Sequence, residues 1–220
     1  MGRRALRRID PALDLSRHLV ALEAVSQPLD PEAMFARLAP LEIEVGSGKG
    51  LFLAAAASAD PDADFLGIEI LGKYARYVAA RLANRELPNA RIIHGDAQHL
   101  FASWLKDASV QAVHVYFPDP WWKARHKKRR VMNEAFVGNV ERVLVPGGRL
   151  HFWTDVEEYF HTALETIGGN TALTGPHPVE EKPADHDLDY RTHFERRMRL
   201  AGEAVYRAEF EKPRPARPGG

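Results

Sequence analysis

Asp119 stands between two prolines in Phe117-Pro118-Asp119-Pro120-Trp121-Trp122, and a run of cations follows at once. Prolines fix φ and remove amide donors, so this carboxylate sits on a stiff stretch of backbone. Trp121 and Trp122 offer flat surfaces on which a nucleobase can stack, while any single aromatic is equally explained as core or lid. In residues 123–130, six of eight are Lys or Arg, His126 is a seventh potential cation, and no acid interrupts them. Most such runs are solvated surface. This one adjoins a candidate reactive carboxylate, and Lys and Arg position nucleic acids through their phosphates.

A second constellation lies upstream. Gly46, Gly48 and Gly50 form Gly-x-Gly-x-Gly after a short apolar stretch. Glycines there permit a tight turn and close approach of a ligand to the backbone. The third glycine comes one residue too early for the dinucleotide fingerprint Gly-x-Gly-x-x-Gly. Glu69 ends the next apolar stretch, where an acid accepts hydrogen bonds from both ribose hydroxyls of a nucleoside, or is simply solvated. Asp96, in His94-Gly-Asp-Ala, either meets the adenine end of that ligand or caps a short helix. Glu44 lies between Ile43 and Val45, where a buried charge needs a partner. Acids at three successive positions of this kind, with Lys49 as the one basic residue of the turn, suit a cationic, phosphate-free cofactor such as S-adenosylmethionine.

The elements that must carry these residues alternate. Strands are expected at 41–45, 64–70, 90–94, 110–117, 149–154 and 205–212, with helices at 49–59, 73–84, 131–144 and 156–167. A further helical pattern covers residues 13–24. This alternation predicts a doubly wound α/β fold with a mostly parallel sheet. In such sheets ligands bind beyond the carboxyl ends of the strands, where every candidate residue falls. Residues 1–30 read as a basic N-terminal extension containing Arg3, Arg4, Arg7 and Arg8, residues 31–211 as the folded domain, and residues 212–220 as a Pro-rich tail.

Composition narrows the rest. The 220 residues carry 30 basic and 30 acidic side chains, so any nucleic-acid partner must be recognised by a local patch. There is no cysteine, which excludes disulfides and thiolate metal sites. The ten histidines show no ligand spacing, so no metal is expected. With no long apolar run and no leader pattern, a cytoplasmic protein without a membrane partner is expected.

The segments around Glu44–Gly50, Gly67-Ile-Glu69, Gly95-Asp96, residues 117–130, Thr154-Asp155 and Thr192-His193-Phe194-Glu195-Arg196 together resemble the bacterial tRNA (guanine-N7)-methyltransferase family. The resemblance runs in order over residues 40–200. It implies a Rossmann-like class I methyltransferase fold with a seven-stranded sheet, and methyl transfer from S-adenosylmethionine to N7 of guanine 46 in the tRNA variable loop. It implies that Glu44, Gly46, Gly48, Gly50, Glu69, Asp96 and Asp119 bind the cofactor, with Asp119 catalytic. It further implies that Lys123, Asp155, Thr192, His193, Phe194 and Glu195 bind the substrate, and beside Lys123 the donor Arg125 suits guanine O6. His193 stands where members often carry Lys or Asn. Residues 192–195 are expected to form a loop that closes on RNA, and the protein to be a monomer or homodimer.

Three rivals differ in chemistry. A methyltransferase acting on exocyclic amines tends to carry Asn/Asp-Pro-Pro-aromatic at the fourth strand end, which is not the pattern here. An RNA-binding module without catalysis would not need the set of four acids. A nicotinamide oxidoreductase would need the longer glycine spacing.

Overall fold

The computed structural model describes residues 6–181, 183 and 190–215. Arg3, Arg4 and the last five residues of the tail lie outside the described residues. The elements in chain order are β1 (Leu19–Ala21), α1 (Pro31–Phe35), β2 (Leu41–Val45), α2 (Leu51–Ala59), β3 (Asp64–Glu69), α3 (Gly72–Ala83), β4 (Ala90–His94) and α4 (Ala97–Ser103). They continue with β5 (Val110–Tyr116), α5 (Glu134–Val143), β6 (Leu144–Thr154), α6 (Glu157–Asn170), β7 (Thr174–His177), α7 (His193–Leu200) and β8 (Tyr206–Glu211). Short 3-10 turns occupy Leu22–Ala24 and Ala124–Arg129.

The strands form one sheet in the order β1-β4-β3-β2-β5-β6-β8-β7. Strands β1 to β6 pair in parallel, and β8 is antiparallel to both β6 and β7. Strand order reverses between β2 and β5, and the crevice beyond their carboxyl ends is the natural ligand site of such a sheet.

Helices cover both faces of the sheet, and apolar side chains pack under each of them. On one side Ile43, Val113, Val115 and Phe152 pack with Phe101 of α4, Phe136 and Val140 of α5, and Tyr159 and Ile167 of α6. On the other, Phe65 and Ile92 pack with Leu53 and Ala57 of α2 and with Ala75, Val78 and Leu82 of α3. Helix α2 is Ala-rich, the composition with the best helix propensity. A third, small aromatic cluster joins Phe52, Tyr116 and Trp153.

Three expectations are corrected. Among the described residues the sheet has eight strands, not seven, and the stretch 13–24 is not a helix. Leu19–Ala21 instead pairs with β4 through Leu19 to Ile92 and Val20 to Ile93. His18 anchors this edge through Nδ1 to the Ala90 carbonyl at 3.0 Å. The free edge of β4 supplies hydrogen bonds that a local helical pattern cannot match. The helix expected from residue 131 begins at Glu134, because the Asn133 side chain accepts from Phe136 N and caps it.

Candidate active site

The glycine turn leaves β2 with Gly46, Gly48 and Gly50 all at positive φ (79°, 53° and 65°). A Cβ on Gly46 or Gly48 would meet nothing within 4 Å, so the space above them is open to a ligand. A Cβ on Gly50 would lie 2.8 Å from Val78 Cγ1, so this glycine serves the packing of α2 on α3. Glu69 is buried at the end of β3 and ties the turn down. Its Oε2 accepts from Gly48 N and its Oε1 from Leu71 N, both at 2.9 Å. Each oxygen keeps a further lone pair for a hydroxyl donor.

Glu44, on β2, is 3% exposed, and its Oε2 is buried without a hydrogen-bond partner. Burial, reinforced by the charge of Glu69, raises its carboxyl to about 8, while Ser47 beside it pulls the other way. An orphaned buried carboxylate facing an open turn fits a ligand that brings a positive charge. Asp96 is exposed and caps α4, accepting from Gln98 N at 2.8 Å. The helix-capping reading thus accounts for one of its oxygens.

Beyond β5 the chain turns sharply. Phe117 and Trp121 adopt positive φ (50° and 46°), strained values for non-glycine residues, on either side of exposed Asp119. The turn is held from below. Arg130, 5% exposed, donates from Nε to the Pro120 carbonyl at 2.8 Å and lies 4.4 Å over the Tyr159 ring. Its guanidinium pairs with Glu158 of α6 at 2.7 Å, which also takes Lys127 at 2.7 Å. These two cations drive the Glu158 carboxyl down to about 2. The run uninterrupted by acids in sequence therefore meets an acid in space. Arg130 is a strut, whereas Lys123, Arg125, Lys128 and Arg129 are exposed around a shallow pocket lined by Asp119, Trp121, Trp122 and His126. Arg129 lies over Trp121, and Trp122 is 67% exposed.

Residues 192–195 begin a helix and do not form a loop. Thr192 Oγ1 accepts from Glu195 N at 2.9 Å, and Glu195 reaches back to Arg191 N at 2.6 Å, a variant of the capping box. Glu195 is 3% exposed, and its other oxygen pairs with Arg207 at 3.2 Å. Phe194 packs on Phe117 with centroids 4.8 Å apart, which docks α7 beside the Asp119 turn. His193 meets Arg81 of α3 at 3.2 Å. Asp155, after β6, is half-buried, and its carboxyl is raised chiefly by that burial, with Arg197 opposing. The structure so brings Asp119, Lys123, Arg125, Asp155 and residues 192–195 to one edge of the sheet. Glu195 differs from the rest in facing inward.

Sequence reasoning missed a buried polar chain beneath this edge. The Arg191 guanidinium donates to Tyr116 Oη at 3.1 Å, Tyr116 contacts His114 Nδ1 at 2.9 Å, and His114 Nε2 contacts Glu42 at 2.8 Å. Burial drives the His114 imidazole down to about 3, so it is neutral. The directions then follow: Arg191 N–H to Tyr116 oxygen, Tyr116 O–H to Nδ1, and Nε2–H to the Glu42 carboxylate. His151 stacks on His114 at 4.7 Å. The signal was present as the alternation Glu42-x-Glu44, His114-x-Tyr116 and His151-x-Trp153. It places polar and aromatic side chains on one face of three central strands.

The family model described as "Putative methyltransferase" matches residues 38–208. A curated tRNA (guanine-N(7)-)-methyltransferase of Rhodopirellula baltica is 48% identical over 218 residues, covering 96% of this chain and 80% of its own. One of the same description from Dechloromonas aromatica is 38% identical, covering 88% of this chain and 78% of its own. The chain belongs to the bacterial tRNA (guanine-N7)-methyltransferase family. Its cofactor is accordingly S-adenosylmethionine. Among solved structures, the 16S rRNA methyltransferase KamB superposes with a TM-score of 0.60 at 16% identity, covering 83% of this chain and 92% of its own. The antibiotic-resistance methyltransferase Kmr superposes with 0.56 at 20% identity, covering 87% and 92%. At such identities these two show the shared class I methyltransferase fold alone. Among the described residues no helix is long and apolar enough to cross a membrane, and no cluster of side chains is arranged to hold a metal.

Proposed function

We propose that this protein methylates N7 of guanine 46 in the variable loop of cytoplasmic tRNA. One observation carries the reading. The neighbouring strands β2 and β5 end in the buried, unpartnered Glu44 and in the Asp119 turn, so a pocket for a cationic cofactor adjoins an aromatic, basic surface.

Bound S-adenosylmethionine supplies an electrophilic methyl group. Guanine N7 has an in-plane lone pair and carries no proton at neutral pH, so it attacks without a general base. Methyl transfer from the bound cofactor would leave the positive charge on the purine, so the residues around it need supply no proton. The protein's work is positioning and electrostatics. Glu44 faces the amino-acid end, Glu69 the ribose and Asp96 the adenine side. Asp119 stands where the two reactants meet, as the catalytic acid of the set. Lys123 and Arg125 suit guanine O6 or phosphate, and Asp155 suits the N1 and N2 donors. Trp121 and Trp122 offer stacking surfaces to a base leaving its stack. Glu195, with both oxygens engaged, contributes by holding Thr192, His193 and Phe194 in place.

The deciding experiment is mass spectrometry of nuclease digests of unmodified tRNA after incubation with the protein and labelled S-adenosylmethionine. The expected product is 7-methylguanosine in the variable-loop fragment. Label in another nucleoside, or none, overturns the reading.

A further inference from the structure

Among the described residues Arg191 has no carboxylate partner. It is half-buried, its guanidinium lies over Phe52, Tyr116 and Trp153 at 5.8, 6.0 and 5.3 Å, and among those residues its side-chain hydrogen bond goes to Tyr116. By contrast Arg37, Arg130, Arg142, Arg199 and Arg207 each hold an acid. A guanidinium has five donors in a planar fork suited to a carboxylate, and here most of them are unspent.

Its place is informative. Phe52 lies in the first turn of α2, directly after the glycine turn, while Tyr116 and Trp153 end β5 and β6. Tyr116 lies within electrostatic reach of both the Arg191 guanidinium and the Glu44 carboxyl. A guanidinium and a carboxyl therefore flank the same phenol at the cofactor crevice. In the same region Glu44 Oε2 and Trp153 Nε1 are buried without partners. One acceptor, one spare donor and one unpaired guanidinium match a zwitterionic α-amino-acid group.

We propose that Arg191 binds the carboxylate of the cofactor's amino-acid end, opposite Glu44 at its ammonium. The inference rests on the reading of Glu44 given above. The chain from Glu42 through His114 and Tyr116 fixes the guanidinium before the ligand arrives, so little side-chain entropy is lost on binding. Because Arg191 immediately precedes Thr192, cofactor binding also steadies the start of α7, the element that carries the substrate-facing residues. An RNA phosphate is the competing anion, but cations exposed for that purpose already stand on the 123–129 turn and at Arg197 of α7, whereas Arg191 is half-buried.

The test compares binding of S-adenosylmethionine with that of its decarboxylated analogue, by titration calorimetry without tRNA. Wild-type protein should prefer the intact cofactor by about 10- to 100-fold, the range of a charge-assisted hydrogen bond or two. Arg191→Met should lose that preference, weakening the intact cofactor by the same factor and leaving the analogue unchanged. Tyr116→Phe, which frees the guanidinium but keeps the ring, should reduce the preference several-fold, and it reports if Arg191→Met fails to fold. Equal weakening of both ligands overturns the proposal in favour of a purely structural arginine. Unchanged cofactor affinity with a raised tRNA KM overturns it in favour of a phosphate contact. Failure of wild-type protein to bind either ligand overturns this proposal and the Glu44 reading together, whereas loss of this proposal alone leaves 7-methylguanosine formation intact.

Discussion

Glu44→Gln should uncouple cofactor binding from proton release. In the free protein burial holds the Glu44 carboxyl at about 8, so at pH 7 it is protonated in about nine molecules of ten. Pairing with the cofactor's ammonium requires the carboxylate, so binding expels that proton. An α-amino group titrates near ~7.7–8.0 and takes up only about 0.1 proton at pH 7. The net release is therefore ~0.8 proton per ligand, and affinity should rise by nearly a factor of ten between pH 6 and 7. Calorimetric titration with S-adenosylhomocysteine, the demethylated product, in two buffers of different ionisation enthalpy measures the release directly. The glutamine variant should release none and show a flat pH profile over that interval. No release by wild-type protein, or equal release by both, would refute the assignment.

The same group makes a stability prediction of opposite sense. A carboxyl whose folded pKa lies above its unfolded value binds its proton more tightly in the native state. Stability of the free protein is thus lost as pH rises from about 4.5 to 8, by about 3 kcal/mol at pH 7 as an upper figure. Glu44→Gln should raise the Tm of the free protein at neutral pH and diminish the further rise caused by ligand. A lowered Tm of the free variant would show that the carboxylate already has a partner.

Asp119→Ala should abolish most methyl transfer while leaving Tm and cofactor-free circular dichroism unchanged, and near-normal turnover would remove its proposed role. Neutralising Lys123, Lys128 and Arg129 together should raise the tRNA KM and lower the slope of log K against log salt by ~2–3, at about 0.7–0.9 per phosphate contact; an unchanged slope would make the run surface decoration. Arg130→Ala should behave differently, reducing stability by about 1–3 kcal/mol and kcat through a slackened Asp119 turn, with little change in salt slope. Glu158→Gln should flatten the acid limb of stability between about pH 4.5 and 2, because a carboxyl held at about 2 contributes stability above its unfolded pKa that is lost as pH falls through the folded one. A limb of unchanged steepness would mean the pair with Arg130 is broken in solution.

The central strands and the glycine turn were legible because their signals are local. Leu41–Val45 sets β-branched and aliphatic residues in strict alternation with Glu42 and Glu44, Ala90–His94 centres on Ile92 and Ile93, and Gly46, Gly48 and Gly50 mark the turn by composition. What escaped depends on residues far apart in sequence. β1 is three residues long and exists because β4 offers an unpaired edge. Helix α7 is rich in arginine and has little apolar stripe; its start is set by Thr192, and it is held by Glu195, whose partner Arg207 comes from β8. Arg129 and Arg130 are the same residue type side by side, yet one faces solvent over Trp121 and the other is buried against Glu158 of α6. No property of the run itself separates them.

A formal net charge of zero conceals two opposed local fields. Glu44, Glu69 and Asp96 gather at the ends of β2 and β3 and just beyond β4, while the exposed cations gather past β5 and along α7. Physiological salt screens the exposed cations over about 8 Å, whereas the buried Glu44 and Glu69 are screened far less. A cationic methyl donor and an anionic RNA can then be drawn to adjoining halves of one crevice. On the proposed reaction the positive charge must cross from the acidic half toward the basic one as the methyl moves. Asp119, exposed on a strained turn between them, lies on that boundary. A carboxylate there offsets the charge at the point where the acids behind it weaken and the cations ahead oppose it. This position explains why a rigid Pro-Asp-Pro backbone, pinned through Pro120 by a buried arginine, serves the chemistry better than a mobile side chain would.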